Sequence, residues 1–235
     1  MIKIKADVKQ DSLYKILRKD VDGIQIVEIN ESGCDYHDFV LFYYHVDEES
    51  LKIVRDLIQQ YKNEKTVCLI GASSYIPGCG EEPDDLLNEP DLFDFQTSEM
   101  KPKFDMFFDF LEPEDFENLI VAALYCRNGV IHGDPQDYVN FGKDVSDLEL
   151  YSAIGKTLED AAGKIINKIN ENSYEPIKKM IVTVVCDESL LISDVEKVIT
   201  ILKTKAIPDC QILWSLCSPA NDVDKKYGKI VLITA

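Results

Sequence analysis

The chain has 235 residues, 46% of them hydrophobic, and a formal net charge of −18. These values are typical of a soluble globular protein with one large domain or two small ones. An acidic surface repels the phosphates of nucleic acids and anionic lipids, so we expect no nucleic-acid partner and no membrane insertion. The longest apolar run, "LIVAALYC", is far shorter than the ~20 residues of a transmembrane helix.

The seven cysteines are scattered, and no two of them form a C-x-x-C pair. Most lie in apolar runs such as "TVCLIG", which is typical of buried free thiols in a reducing compartment. The N-terminal "MIKIKADVKQ" lacks the apolar core of a signal peptide. Together these features predict a cytoplasmic protein.

The first half of the chain predicts a parallel sheet. "IKIK" and "GIQIVEIN" favour short strands, and "DFVLFYYHV" at 38–46 is almost continuously apolar, as in a strand covered on both faces. A helix is predicted at 47–65 from apolar residues at helical spacing, followed by a strand at "TVCLIGA". This strand–helix–strand order is that of a βαβ unit.

The segment 73–103 is rich in proline, glycine and acids and predicts a long surface segment. "FDMFFDF" then favours a short strand, and "LEPEDFENLIVAALYC" a helix with Pro113 in its first turn. Further on, strands are predicted at "DLELYSAIG", "KMIVTVVC", "DCQILWSLC" and "KIVLITA". Helices are predicted at "TLEDAAGKIINKINENS" and "ISDVEKVITILKTK", the second with Ser193 as its N-cap.

The stretch "CRNGVIHGDPQDYVNFG" at 126–142 places two carboxylates, Asp134 and Asp137, three residues apart beside a proline. Asp134 before Pro135 is a good N-cap, and Asp137 then falls where a capping box needs it. The alternative is that both acids face outward from a first helical turn and orient water for something outside the chain. Spacing alone leaves both interpretations open.

The order and spacing of these elements resemble the FtsZ branch of the tubulin/FtsZ family. Residues 129–137 are similar to its acidic synergy loop, of pattern G-x-I-N-x-D-x-x-D, with His132 in place of the asparagine. "VDGIQIVEINES" and "YHDFVLFYYHV" resemble two of its core strands, and the elements after residue 143 resemble its C-terminal domain. The resemblance implies an α/β fold with three parts. A reduced Rossmann-like nucleotide-type domain, 1–112, is joined by a core helix and acidic loop, 113–142, to an α/β C-terminal domain, 143–235.

The chain departs from this family at its nucleotide loops. Family members bind GTP with glycine-rich loops, one after the first strand and a G-G-G-T-G-T-G signature after the later core strand. Here "IKIK" runs into "ADVKQDSLYKILRKD" and "FVLFYYHV" into "DEESLKI", and neither segment contains a glycine. Such glycines let backbone N–H groups approach phosphates, whereas acids repel them. We therefore expect no GTP site and no enzymatic activity of the chain's own.

No other segment predicts a cofactor site. "GASSYIPGCG" lacks the lysine of a P-loop and favours a plain surface turn. His37 and His45 would be roughly 26 Å apart along a strand. His132 has only Asp134 beside it, which is too few ligands for a structural zinc ion. We expect no metal and no cofactor.

In the family, GTP lies between two stacked subunits, one of which supplies the pocket and the next the acidic loop. The resemblance implies that this chain keeps only the loop, with His132, Asp134, Gln136 and Asp137 facing a partner and no catalytic residue of its own. The expected partner is FtsZ, another tubulin/FtsZ-family protein, or the chain itself. The expected function is to bind or cap such filaments, or to modulate their assembly.

Two alternatives stay open. One is a self-assembling or dimeric structural protein that works without nucleotide. The other is a ligand-binding protein or residual GTPase with a remodelled pocket, in which the segment 73–103 acts as a lid.

Overall fold

The fold was examined in a computed structural model. The structure describes residues 2–6, 24–28, 39–45, 48–61, 68–74, 99–109, 111–128, 134–145, 147–172, 175–186, 192–217 and 228–235. The chain divides into two compact units, Met1–Glu117 with Tyr138–Asp144, and Asn118–Asp137 with Val145–Ala235. Two of the three crossings between the units fall inside helices, and the sequence-based division at residues 112 and 142 remains a prediction.

The first unit contains a five-stranded parallel sheet of order β2-β1-β3-β4-β5. Its strands are β1 (Ile2–Ala6), β2 (Ile24–Glu28), β3 (Phe39–His45), β4 (Cys68–Ser74) and β5 (Met106–Phe108). Every pairing is parallel, with Phe39 opposite Ile2 on one side of β3 and Cys68 on the other. The parallel sheet predicted from the apolar run at 38–46 is confirmed.

One layer of this unit is formed by α1 (Glu48–Tyr61), which follows β3. Its predicted apolar residues are all buried, namely Leu51, Val54, Leu57, Ile58 and Tyr61. They form one cluster with Val40, Phe42 and Tyr44, which alternate along β3. Burying each of these larger side chains contributes about 2 kcal/mol to stability, so the period-3.6 pattern fixes which helix face meets the sheet.

The remaining residues of β3 pack against two further helices, α2 (Pro113–Asn128) and α3 (Pro135–Gly142). The Tyr43 ring stacks on Phe116 with centroids 4.3 Å apart, and its hydroxyl donates to the Leu111 carbonyl at 3.1 Å. Phe39 meets Tyr138 edge-on at 5.2 Å. These contacts fix the first turns of α2 and of α3 on the sheet. The predicted helix with Pro113 at its start is confirmed.

The second unit contains a mixed four-stranded sheet of order β6-β9-β7-β8. In chain order its elements are β6 (Glu149–Gly155), α4 (Leu158–Asn172), β7 (Ile177–Val185), α5 (Ile192–Leu202), β8 (Ala206–Cys217) and β9 (Gly228–Thr234). The central β7 runs parallel to β8 and antiparallel to β9. All the strands and helices predicted for this half are present.

Helices α4 and α5 supply the core on one face of this sheet. Their buried residues Leu158, Ala161, Ile165, Val195 and Val198 belong to a cluster with the strand residues Met180, Val182, Val184, Ile230 and Leu232. The second part of α2 meets β6, where the Asn118 amide donates to the Ser152 hydroxyl at 2.8 Å. The N-cap prediction for Ser193 is wrong. The helix already begins at Ile192, so Ser193 lies inside the first turn, where serine costs little.

Candidate functional site

The acidic residues at the start of α3 form a reciprocal helix cap. The Asp134 carboxylate accepts a hydrogen bond from the Gln136 N–H at 2.9 Å. The Asp137 carboxylate accepts one from the Asp134 N–H at 3.1 Å, while the Asp137 N–H donates to the Asp134 carbonyl at 2.8 Å. Pro135 occupies the first helical position, where its missing N–H costs nothing. The capping interpretation is confirmed.

This cap fixes the carboxylates without hiding them. Asp134 and Gln136 are exposed and Asp137 is half-buried. Each cap bond uses one carboxylate oxygen. Within the described ranges, no lysine or arginine forms an ion pair with either acid. The structure therefore brings Asp134, Gln136 and Asp137 together at one helix start, whereas His132 lies outside the described residues.

A second helix start has the same construction. In α4, the Asp160 N–H donates to the Thr157 hydroxyl at 3.1 Å, and the Asp160 carboxylate accepts from the Lys156 N–H at 3.0 Å. The Lys164 ammonium lies 3.1 Å from the same carboxylate. The hydrogen bond from Lys156 and then that from Lys164 lower the pKa of Asp160 below its usual value. This cap thus carries one acid with a counter-charge.

The strand order of the first sheet locates a second place of interest. Successive connections run from β1 to β2 in one direction and from β3 to β5 in the other, so the order reverses between β1 and β3. In open α/β sheets, ligands bind beyond the carboxyl ends of the strands at such a reversal. Here that edge carries Ala6, the last residue of β1, and His45, the last of β3.

The connection from β3 to α1 at this edge is very short. The strand ends at His45 and the helix begins at Glu48, so only Val46 and Asp47 lie between them. The last tyrosines of β3, Tyr43 and Tyr44, are buried in the core. Burial, together with the charge of Asp109, raises the pKa of Tyr44, so its phenol stays protonated at neutral pH.

The second unit also has an open cavity of about 290 Å³ beside the start of β7. Three carboxylates, of Asp147, Glu149 and Glu175, line it together with Lys178 and Thr234. The Tyr151 hydroxyl donates to Glu149 at 2.6 Å, and burial followed by this bond raises the pKa of Tyr151. An excess of carboxylates repels phosphate groups, so this cavity is a poor nucleotide pocket.

Neither a metal centre nor a membrane span emerges from the described part of the chain. No three histidine, cysteine, aspartate or glutamate side chains there are grouped closely enough to hold an ion. None of the described helices combines the length and hydropathy that a bilayer crossing needs.

Sequence reasoning missed two lysines that act on a sheet edge. Lys164 and Lys168 of α4 donate their ammonium protons to the carbonyls of Ile154 and Ser152 on β6, both at 2.9 Å. Their four-residue spacing on one helix face was visible in the sequence. The acceptors were not, because nothing local identifies β6 as an edge strand.

The fold is similar to solved structures of three kinds of protein. FtsZ from M. jannaschii aligns at a TM-score of 0.66 and 11% identity, over 84% of this chain and 63% of FtsZ. TubZ from Bacillus thuringiensis serovar israelensis aligns at 0.53 and 13%, over 84% and 61%. CetZ2 from Haloferax volcanii aligns at 0.56 and 10%, over 84% and 64%. No protein-family model and no curated protein matches the sequence.

These matches establish the fold that the sequence resemblance implied. The chain has a tubulin/FtsZ-like α/β fold. It spans less than two thirds of the length of the FtsZ, TubZ and CetZ2 chains that it matches.

Proposed function

We propose that this tubulin/FtsZ-like chain binds no nucleotide itself and acts on the filaments of an FtsZ- or tubulin-like partner. It docks through the acidic loop that ends in Asp134, Gln136 and Asp137, and so caps a filament or modulates its assembly. The observation that carries the proposal is the short acidic connection between β3 and α1.

The β3–α1 connection lacks the means to hold a triphosphate. A phosphate cradle needs several backbone N–H groups that converge on one anion, usually from a glycine-rich loop before a helix. Here two residues join the strand to the helix, and neither is glycine. Asp47, Glu48 and Glu49 place negative charge at the helix N-terminus, where it competes with any phosphate for the helix dipole.

The start of α3 has the features required of the acidic loop in a site that is shared between two subunits. Its two carboxylates are held by backbone hydrogen bonds and are accessible to a partner. Residues held in place before binding lose less conformational entropy when they meet a partner. Because the chain offers the loop and lacks the pocket, a filament that adds it gains no site for the next subunit. This is the physical basis for a capping role.

The direct test mixes the protein with labelled FtsZ and GTP and measures filament length and phosphate release. We expect the wild type to change both. The double variant Asp134→Ser/Asp137→Gln keeps residues able to form the cap but removes both charges, and we expect it to have no effect. Asp160→Gln, an equivalent change in the α4 cap, serves as the control and should act like the wild type. Unchanged filaments at excess wild-type protein would refute the proposal.

A second experiment tests the missing pocket separately. Titration calorimetry of the folded protein with GTP and with GDP should show no binding heat, and GTP should not raise the melting temperature. Saturable binding would instead favour the ligand-binding or residual GTPase alternative. The segment 73–103, its suggested lid, lies mostly outside the described residues.

Self-assembly without nucleotide is the second candidate. Among the structural neighbours, the FtsZ structure is a dimer, and the TubZ and CetZ2 structures are protofilaments. Sedimentation over a range of concentrations distinguishes this candidate from the first. Assembly that keeps growing with concentration in the absence of nucleotide supports self-assembly, whereas a chain that forms no such growing series but still changes FtsZ filaments supports capping.

A further inference from the structure

The sheet of the second unit has two edges, formed by β6 and β8. An edge strand presents a row of backbone N–H and C=O groups that another strand can pair with, and native proteins usually obstruct such edges. The two edges of this sheet differ in whether side chains cover their backbone groups.

The β6 edge is closed by side chains. The ammonium groups of Lys164 and Lys168 bond the carbonyls of Ile154 and Ser152, each at 2.9 Å. These carbonyls belong to alternate residues, as do the acceptors that an incoming strand would use. A new strand would have to displace both charged donors, so β6 is protected.

The β8 edge is open over residues 206–214, which are partly or fully exposed, whereas Ser215, Leu216 and Cys217 at its end are buried. The Cys186 N–H donates to the Cys217 carbonyl at 3.1 Å, so the backbone of Cys217 faces β7. Backbone groups alternate in direction along a strand, and within the regular register from Gln211 to Cys217 those of Leu216, Trp214 and Ile212 therefore face away from β7. In the part of the chain that the structure describes, no lysine bonds to these groups, and β8 pairs with β7 alone.

The side chains of this edge are uncharged and mostly apolar. Residues 210–217, "CQILWSLC", contain no charge, although the whole chain carries −18. Ile212 and Trp214 pack on the core cluster but remain partly exposed. Leu213, also partly exposed, lies on the opposite face of the strand. A strand with this composition is suited to pairing with another apolar strand.

We propose that the β8 edge is an interface with a second copy of this chain, paired antiparallel about a two-fold axis at Leu213. In this register Leu213 lies opposite its own copy, Ile212 opposite Trp214, and Cys210 opposite Leu216. The outward-facing backbones of Ile212 and Trp214 then meet each other on both sides of the axis, which gives about four interstrand hydrogen bonds. A two-fold interface must be self-complementary, and this register pairs the apolar residues 212–214 with one another and the polar Gln211 with Ser215.

Charge and proline also select this register. Asp209 would lie opposite Cys217, so the two copies of Asp209 would be about 26 Å apart along the strands. This distance exceeds the screening length of about 8 Å at physiological salt. Pro208 has no N–H to donate. A register that slides to include it would lose a bond and bring the acids closer together.

This interface uses none of the acidic-loop residues, so it goes beyond the filament-capping proposal and is tested independently of it. The test is sedimentation of the full-length protein over a concentration series, with Leu213→Lys, Leu213→Glu and a one-to-one mixture of both. Each variant alone places like charges opposite each other across the two-fold axis, and we expect its dimer dissociation constant to rise at least tenfold. The mixture places opposite charges there and should restore the dimer.

The matched control is Ile154→Lys, which adds the same charge at the exposed position on the closed β6 edge. It should leave association unchanged, and circular dichroism should show every variant folded. The fluorescence of Trp214, the single tryptophan, should shift to shorter wavelength as the wild type dimerises. A monomeric wild type would overturn the proposal. So would a wild-type dimer that Leu213→Lys leaves intact, or single variants that the mixture fails to rescue, because each points to another surface or another kind of partner.

Discussion

The starts of α3 and α4 share one construction but differ in charge. In α4 the neutral Thr157 caps the helix, the Asp160 carboxylate accepts a hydrogen bond from the Lys156 N–H, and Lys164 lies beside that carboxylate. In α3 both capping residues, Asp134 and Asp137, are acids, and within the described ranges no basic side chain pairs with them.

This difference shows which properties of the α3 cap the fold requires and which it does not. A cap requires one oxygen from each residue, and Thr157 shows that the first of them can be uncharged. The second negative charge at α3 therefore adds nothing that capping demands. It is the feature that a partner would meet, and it distinguishes the proposed docking loop from an ordinary helix start.

The largest expected effect concerns the glycines of these helices. Gly142 ends α3, where an added Cβ would lie 1.8 Å from the Asp105 carbonyl oxygen, whereas a Cβ on Gly163 of α4 would meet nothing within 4 Å. Because a backbone atom cannot yield as a side chain does, we expect Gly142→Ala to cost about 3 kcal/mol. Gly163→Ala should instead stabilise by up to about 1 kcal/mol. Urea denaturation measures both, and equal effects would contradict the close approach at α3.

The second-largest effect on stability is expected from the helix caps. Asp134→Ala and Thr157→Ala each remove an N-cap, and each should lower the free energy of unfolding by about 1 kcal/mol. Asp134→Ser retains an oxygen acceptor and should stay within a few tenths of a kcal/mol of the wild type. Thermal and urea unfolding check this ranking. A large loss with Asp134→Ser would show that the fold does depend on the second charge.

A smaller effect is expected from the charge of Asp160. A carboxyl group whose pKa is lowered by folding adds stability that is complete above its unfolded pKa, near 3.8. This stability is lost as the pH falls through the folded pKa. The difference in stability between wild type and Asp160→Asn should therefore be constant near neutral pH and should narrow below pH 3.8. Melting curves over pH measure it, and a gap that widens in acid would contradict this assignment.

The smallest expected effect on stability is that of Lys164→Met, because both Lys164 and Asp160 are partly exposed to solvent. The substitution keeps the apolar stem and removes the ammonium that bonds the Ile154 carbonyl. We expect a folded protein of nearly wild-type stability whose uncovered β6 edge increases self-association. In the double variant Lys164→Met/Leu213→Lys the β8 edge is blocked, so sedimentation measures only the increase in self-association that comes from the β6 edge. No increase would mean that Lys164 does not protect β6.

The sequence was sufficient wherever neighbouring residues decide the structure. The apolar period of α1 and α4 and the continuous apolar run of β3 each predicted what is observed, and the three-residue spacing of Asp134 and Asp137 gave the observed cap as one of two interpretations. Ser193 shows the limit of such local reasoning, because a good capping residue also fits inside a first turn.

The sequence by itself determined the order of strands and helices and their buried faces, because residues within four positions of one another set these features. Only the tertiary structure decided the strand order in each sheet, the need for glycine at position 142 and the contrast between the closed β6 and open β8 edges. These depend on contacts between segments far apart in the chain, and an edge strand has the same side-chain alternation as a central one. The sequence of a strand therefore does not show whether one of its sides lacks a neighbouring strand.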